Sequence, residues 1–240
     1  MTLTGDRYLE HLEREAARFS AVLADGDLRA PVPACPGWDV LDLTGHLGGI
    51  HRWARDAVVL GRPTDEERPH PREREALRDW FEEGAAELVA TLRATDPGAP
   101  CWHFGAKPRT ADFWFRRQAH ETAVHAQDAE EAVRGVRTPL HPELVVDGIE
   151  EILGMFLPRQ VRLGRLDPPP QAVELRATDA DAGPFRLAPA GDGEVVGAVV
   201  APAETLLLLL WRRLPVDAAG VRVEGDADAV RALLALPLTP

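Results

Sequence analysis

The chain has 240 residues, of which 45% are hydrophobic and 28% charged, enough for one large or two small soluble domains with real cores. Its formal net charge of −12 argues against broad binding to nucleic acid or anionic membranes, since both are polyanions. The N-terminal segment is charged and amphipathic, unlike a signal peptide, and the longest apolar run, residues 205–211, is too short to span a bilayer. Cys35 and Cys101 form no disulfide framework, so we expect a cytoplasmic protein.

Apolar residues at helical spacing predict an antiparallel four-helix bundle in the first part of the chain. The predicted helices cover residues 5–24, 39–61, 73–94 and 110–134. A fifth helix is predicted over residues 142–160 and leads out of the bundle.

The pattern changes after about residue 165. A proline-rich linker, LDPPPQ, precedes short segments rich in β-branched residues, which predict strands, and two apolar segments that predict helices. The last turn of the first of these helices, predicted to run to residue 213, carries Arg212 and Arg213. The sequence thus predicts an α+β protein, with a helical bundle over residues 1–165 and a small α/β domain over residues 166–240.

The segment HETAVH, residues 120–125, resembles the HExxH zinc-protease motif but contains one residue too many. His120 and His125 are five residues apart, about 140° around a helix, so a regular helix cannot present both to one ion. Glu121 and His125 are four residues apart and share a face. This spacing excludes the protease and leaves Glu121 and His125 as a candidate ligand pair.

A third ligand is offered by His46 on the second helix, which three glycines flank: Gly45, Gly48 and Gly49. Glycine costs about 1 kcal/mol relative to alanine inside a helix, so the cluster suggests close approach by another helix or a ligand. His46, Glu121 and His125 together would form a His₂Glu set, a usual composition for catalytic zinc with one open position. The alternative, a surface pair or a satisfied buried pair without metal, remains open.

Two segments, VPACPGWDVLDLTGHLGGIHRWA (32–54) and RRQAHETAVHAQDAE (116–130), resemble the signature segments of the mycothiol-dependent maleylpyruvate isomerase family, within the DinB-like metal-dependent thiol-transferase superfamily. A weaker resemblance in APAETLLLLLWRRLP (201–215) and VRVEGD (221–226) extends it over nearly the whole chain. The resemblance implies a DinB-like bundle followed by a small domain similar to sterol-carrier domains. It also places zinc ligands at His46, Glu121 and His125.

The family's active-site arginine falls on Arg213, with Arg212 as the neighbouring alternative. On a regular helix these two side chains point about 100° apart, so only one could readily face the bundle. We expect Arg213 to pair with a substrate carboxylate. Neither Cys35 nor Cys101 has a base paired with it in a recognisable motif, so packing roles are expected for both.

The resemblance implies thiol chemistry. A divalent metal, expected to be zinc, would hold mycothiol as its thiolate, which adds to the activated double bond of maleylpyruvate. Rotation about the resulting single bond and elimination of the thiol give fumarylpyruvate. The alternatives are a mycothiol S-transferase acting on another electrophile, or a non-catalytic module that binds a metal or small ligand. We expect small-molecule partners only, and a monomer or small homo-oligomer.

Overall fold

A computed structural model describes residues 3–64, 68–167, 171–188 and 193–239, and the chain forms two compact units that divide between Thr138 and Pro139. The predicted boundary at residue 165 lies inside the second unit, because the fifth helix packs on a helix of that unit. Pro168, Pro169 and Pro170 of the predicted linker lie outside the described residues.

All four helices predicted for the first unit are present. They are α1 (Gly5–Asp25), α2 (Val40–Leu60), α3 (Arg74–Arg93) and α4 (Asp112–Arg134). Asp39 and Asp42 form a reciprocal capping box that fixes where α2 begins. Both α2 and α4 end at glycines in the left-handed conformation, Gly61 and Gly135, which a residue with a Cβ adopts only with strain.

Packing in the first unit places α1 against α3 and α4, and α2 against α3 and α4. The apolar side chains of these helices form one buried cluster, which includes Phe19, Val22, Leu23, Leu43, Leu47, Phe81, Ala126 and Ala129. Gly48 lets α3 approach α2 closely, since a Cβ at this position would overlap the Trp80 ring.

A charged network fixes α1 against α4. Arg18 on α1 donates to Glu130 on α4 at 2.7 Å and also pairs with Glu15, whose side chain is 1% exposed. Glu130 in turn accepts from the backbone N–H of Thr138 at 2.8 Å. Burial raises the pKa of Glu130, but the hydrogen bonds from Arg18 and Thr138 lower it more. The network therefore holds the C-terminal end of α4 in place.

The second unit begins with α5 (Pro142–Glu151), a π-helical turn (Ile152–Phe156) and α6 (Leu157–Arg162). The strands are β1 (Gln171–Ala177), β2 (Phe185–Leu187), β3 (Glu194–Ala201) and β4 (Arg222–Gly225). Helix α7 (Ala203–Leu210) follows β3, and α8 (Ala227–Leu234) follows β4. The sheet has the order β2-β1-β3-β4; β1 and β3 are parallel and the two outer pairs are antiparallel.

Five leucines of α7, residues 206–210, are buried in the second unit, where α7 packs against α5, β1 and β3. Among the described residues, no helix is long and apolar enough to cross a membrane.

The prediction that α7 runs to residue 213 is wrong. The helix ends at Leu210, and Arg212 has a left-handed backbone with φ 57°. The N–H groups of Arg212 and Arg213 bond back to the carbonyls of Leu209 and Leu208, the pairing of a Schellman motif. The 100° separation of two residues on a regular helix therefore does not apply to this arginine pair.

Candidate metal centre

The side chains of His46 on α2 and of Glu121 and His125 on α4 converge. Their ligand atoms all lie within 4.8 Å of one another. The Oε1 atom of Glu121 is 3.4 Å from Nε2 of His46 and 3.3 Å from Nε2 of His125. The packing of α2 against α4 thus brings together the three residues that sequence spacing singled out.

These two distances suit metal ligands better than hydrogen-bonded partners. A hydrogen bond between an imidazolium and a carboxylate is about 2.7–2.9 Å long. Two ligand atoms that bind one zinc ion tetrahedrally at about 2.0–2.1 Å lie about 3.3 Å apart. The residues present therefore fit a divalent metal in both spacing and donor chemistry.

Asp128 holds the ring of His125. The Nδ1 atom of His125 lies 3.0 Å from Oδ2 of Asp128, which is fully buried one turn further along α4. Burial lowers the pKa of His125, but the adjacent carboxylates of Asp128 and Glu121 raise it to about 9, so that without a metal both ring nitrogens carry a proton at neutral pH. Asp128 accepts the proton on Nδ1, and a metal ion would take the place of the proton on Nε2, the usual arrangement of a carboxylate–histidine pair.

Arg117 holds Glu121. Its guanidinium donates to Oε2 of Glu121 at 2.8 Å, which leaves Oε1 directed toward the two histidines. Burial raises the pKa of Glu121, but the charge of Arg117 and the two neighbouring histidines bring it well below its usual range. Sequence reasoning missed this pair, although the four-residue spacing of Arg117 and Glu121 carried the signal.

His46 is half-buried, with its ring centroid 4.9 Å from that of Trp38. The glycines that flank His46 have different surroundings, so each needs its own explanation. A Cβ at Gly45 would overlap the ring of His70, whereas a Cβ at Gly49 would have no atom of the described residues within 4 Å. Gly45 thus permits close approach of a neighbouring loop, and Gly49 borders space that no described residue fills.

The other two histidines of these segments lie apart from the cluster. His51 is fully buried, with Nε2 at 2.9 Å from Oγ1 of Thr122. His120 packs edge-on to Tyr8, at 6.4 Å between ring centroids. Their positions follow from the five-residue spacing, which directs each to a different helix face from its neighbouring ligand.

The sequence did not indicate how close Cys35 lies to this centre. Its Sγ, a ring nitrogen of His125 and a carboxylate oxygen of Asp128 lie within 4.8 Å of one another. The loop that carries Cys35 is folded by backbone hydrogen bonds that join Cys35 to Val32 and Trp38. Local spacing held no signal for the contact, because it joins the loop before α2 to the middle of α4.

Cys101 lies elsewhere in the first unit. It is buried, its thiol donates to the carbonyl of Ala57 at 3.6 Å, and burial raises its pKa.

Arg213 lies in the second unit, where it donates to the carbonyl of Trp211 at 2.8 Å and stands 5.5 Å from the centre of the Trp211 ring.

Comparison with known families and structures gives a consistent result. Residues 9–130 match the family model described as the mycothiol maleylpyruvate isomerase N-terminal domain, and residues 143–232 match the corresponding C-terminal domain. Comparison with the curated proteins gives no match.

Two solved structures share the fold. They are the crystal structure of the mycothiol-dependent maleylpyruvate isomerase, with TM-score 0.65 at 15% identity, and that of a histidine-to-alanine mutant of this enzyme, with TM-score 0.64 at 16% identity. Each alignment covers 93% of this chain and 95% of that chain. The likeness confirms the predicted α+β fold.

The burial of His51 predicts a pH dependence of stability. Burial lowers the pKa of His51 to about 3, whereas an unfolded histidine titrates near 6.5. The unfolded chain therefore binds the proton first, and stability is lost as the pH falls below about 6.5. With chelator present, His51→Gln should reduce the loss of unfolding free energy between pH 7.5 and pH 5 by about 2 kcal/mol. Urea unfolding at both pH values tests this; equal losses in the two proteins would contradict it.

Proposed function

Because the chain belongs to the mycothiol maleylpyruvate isomerase family, we propose that it is a metal-dependent isomerase that uses mycothiol and acts on a small electrophilic acid of the maleylpyruvate type. The observation that carries the proposal is the spacing of the Glu121 carboxylate from the His46 and His125 rings, which suits a shared metal ion. A cytoplasmic location, where Cys35 and Cys101 stay reduced, is part of the proposal.

The expected metal is zinc, which two imidazoles and one carboxylate would hold with a position left open. When bound, it supplies a Lewis acid that keeps a thiol in its thiolate form near neutral pH. The side chains of His46 and Glu121 are partly exposed, so a small thiol could reach a metal held by them from solvent.

Neighbouring residues fix the orientation and the charge of the proposed ligands. Asp128 keeps a proton of His125 on Nδ1, so that Nε2 is the nitrogen that would exchange its proton for a metal. Arg117 balances the charge of Glu121 and fixes which carboxylate oxygen faces the histidines. Thr122, bonded to His51, ties α4 to α2 beside the centre. The ligands are thereby held close to their bound arrangement before the metal arrives.

Arg213 is proposed as the residue that pairs with the substrate carboxylate. Its guanidinium offers two parallel N–H donors that match a carboxylate, and it would orient the acid during attack rather than transfer protons. The proposal rests on the position of Arg213 in the family resemblance. The Trp211 ring and carbonyl, which contact the same guanidinium, limit its freedom to turn.

The same centre would serve an S-transferase, because both reactions begin with thiolate attack on an electrophile. A non-catalytic module would contain the same metal ligands but would show no thiol-dependent turnover. Isomerisation of maleylpyruvate, with mycothiol regenerated, separates the first proposal from both alternatives.

The metal assignment predicts that His125→Ala loses the ion. Removal of one of three protein ligands should reduce metal content from one ion per chain to below a tenth after gel filtration, with mycothiol-dependent turnover lost in parallel. Elemental analysis of the purified proteins measures the content.

The matched control is His120→Ala, which removes a histidine from the same helix outside the cluster, and it should keep one ion per chain. Full metal content in folded His125→Ala, as judged by circular dichroism, would refute the ligand assignment.

The role of Arg213 predicts a separate defect. Arg213→Lys keeps the positive charge but loses the planar fork, so turnover of an acidic substrate should fall at least tenfold while metal content stays unchanged. Arg222→Lys, on the exposed side of β4, is the control and should leave turnover as it is. Wild-type kinetics in Arg213→Lys would exclude the proposed carboxylate contact.

A further inference from the structure

The helices α2 and α4 make a second contact away from the candidate metal centre, between two tryptophan rings. Trp53 lies seven residues after His46 on α2, and Trp114 lies seven residues before Glu121 on α4. The rings of Trp53 and Trp114 meet at 5.1 Å, just as His46 meets Glu121. Because seven residues make nearly two helical turns, the two meeting points lie on the same side of the helix pair, about 10 Å apart.

Around Trp53 the structure collects an aromatic cluster that the proposed chemistry does not use. Trp102 and Phe104, from the connection before α4, lie 5.7 Å and 6.2 Å from the Trp53 ring, and Phe104 is nearly parallel to it. Phe113 packs edge-on to Phe104 at 4.8 Å. Trp53, Trp102, Phe104 and Phe113 are all only half-buried. Clustered and partly exposed aromatic rings of this kind commonly line small-ligand sites.

Gly49 lies between the two meeting points, on the same face of α2 as His46 and Trp53. It is half-buried, and a Cβ built there would have no described atom within 4 Å. Gly45 and Gly48, in contrast, are explained by the rings of His70 and Trp80. A glycine inside a helix that no neighbour requires costs stability, so its position on the half-exposed stripe from His46 to Trp53 calls for another reason.

We propose that this stripe, from His46 past Gly49 to the aromatic cluster, is the binding site for the sugar part of the thiol cofactor. Mycothiol carries its thiol on an acetylated cysteine and, several bonds away, a glucosamine joined to an inositol. With the sulfur at the metal centre, the rings would extend along α2 to the aromatic cluster. Their C–H faces would pack on Trp53 and its neighbours, as apolar faces commonly pack on aromatic rings. This inference rests on the proposed function and adds how the thiol is selected.

Thiol binding to the zinc-loaded protein tests the proposal. Isothermal titration calorimetry without oxygen would compare mycothiol with N-acetylcysteine, which has the same thiol end without the sugars. The wild type should bind mycothiol at least tenfold more tightly. Gly49→Leu puts a side chain over the stripe and should reduce this preference to threefold or less. Leucine favours a helix more than glycine does, so the variant should fold.

Three variants complete the design. Trp53→Leu removes the ring but keeps an apolar side chain, and it should also lower the preference for mycothiol. Gly49→Ala adds only a methyl group and should have a smaller effect than leucine. Ala90→Leu adds the same side chain as the test variant to an exposed position of α3, so it should keep the full preference.

The outcomes separate this inference from the proposed function. Equal affinity of the wild type for the two thiols, an undiminished preference in Gly49→Leu, or equal weakening of both thiols in that variant would each overturn the sugar site. Tight, sugar-dependent binding of mycothiol without isomerisation of maleylpyruvate would uphold the sugar site and refute the isomerase.

Discussion

The antiparallel packing of α2 against α4 is the constraint on which the candidate site depends. It sets His46 opposite Glu121 at one level and Trp53 opposite Trp114 two turns away. One ligand comes from α2 and two from α4, so any slip of one helix along the other would separate the donors. The buried bond between His51 on α2 and Thr122 on α4 opposes such a slip.

The charges around the ligands balance locally, which allows them to be buried. Arg117 offsets Glu121, and Asp128 accepts from His125. Each carboxylate or ring would be costly in a helical core without its partner. In this arrangement the partners also direct Nε2 and Oε1 toward a common point. The same contacts that make the polar cluster tolerable therefore also shape it as the proposed metal site.

Much of this architecture was predictable from the sequence because it rests on local periodicity. Helical spacing located the bundle, and the four-residue spacing of Glu121 and His125 identified two side chains that the structure brings together with His46. Other features depend on tertiary packing and left no local pattern. The approach of Cys35 to His125, the assignment of the fifth helix to the second unit, and the left-handed backbone of Arg212 all belong to this class. The proposed binding stripe for the sugars could be inferred only from sequence and structure together. The sequence shows three glycines near His46, but only the structure shows that Gly49, unlike Gly45 and Gly48, has no described neighbour that requires a glycine.

X-ray absorption of the zinc-loaded protein, before and after addition of mycothiol, tests the central claim most directly. Before addition, the account predicts only nitrogen and oxygen ligands at about 2.0–2.2 Å. After addition, one sulfur should appear at about 2.3 Å, in Cys35→Ser as in the wild type. A sulfur ligand present before any thiol is added would make Cys35 part of the metal site. Absence of sulfur at saturating mycothiol would contradict thiol activation at this centre.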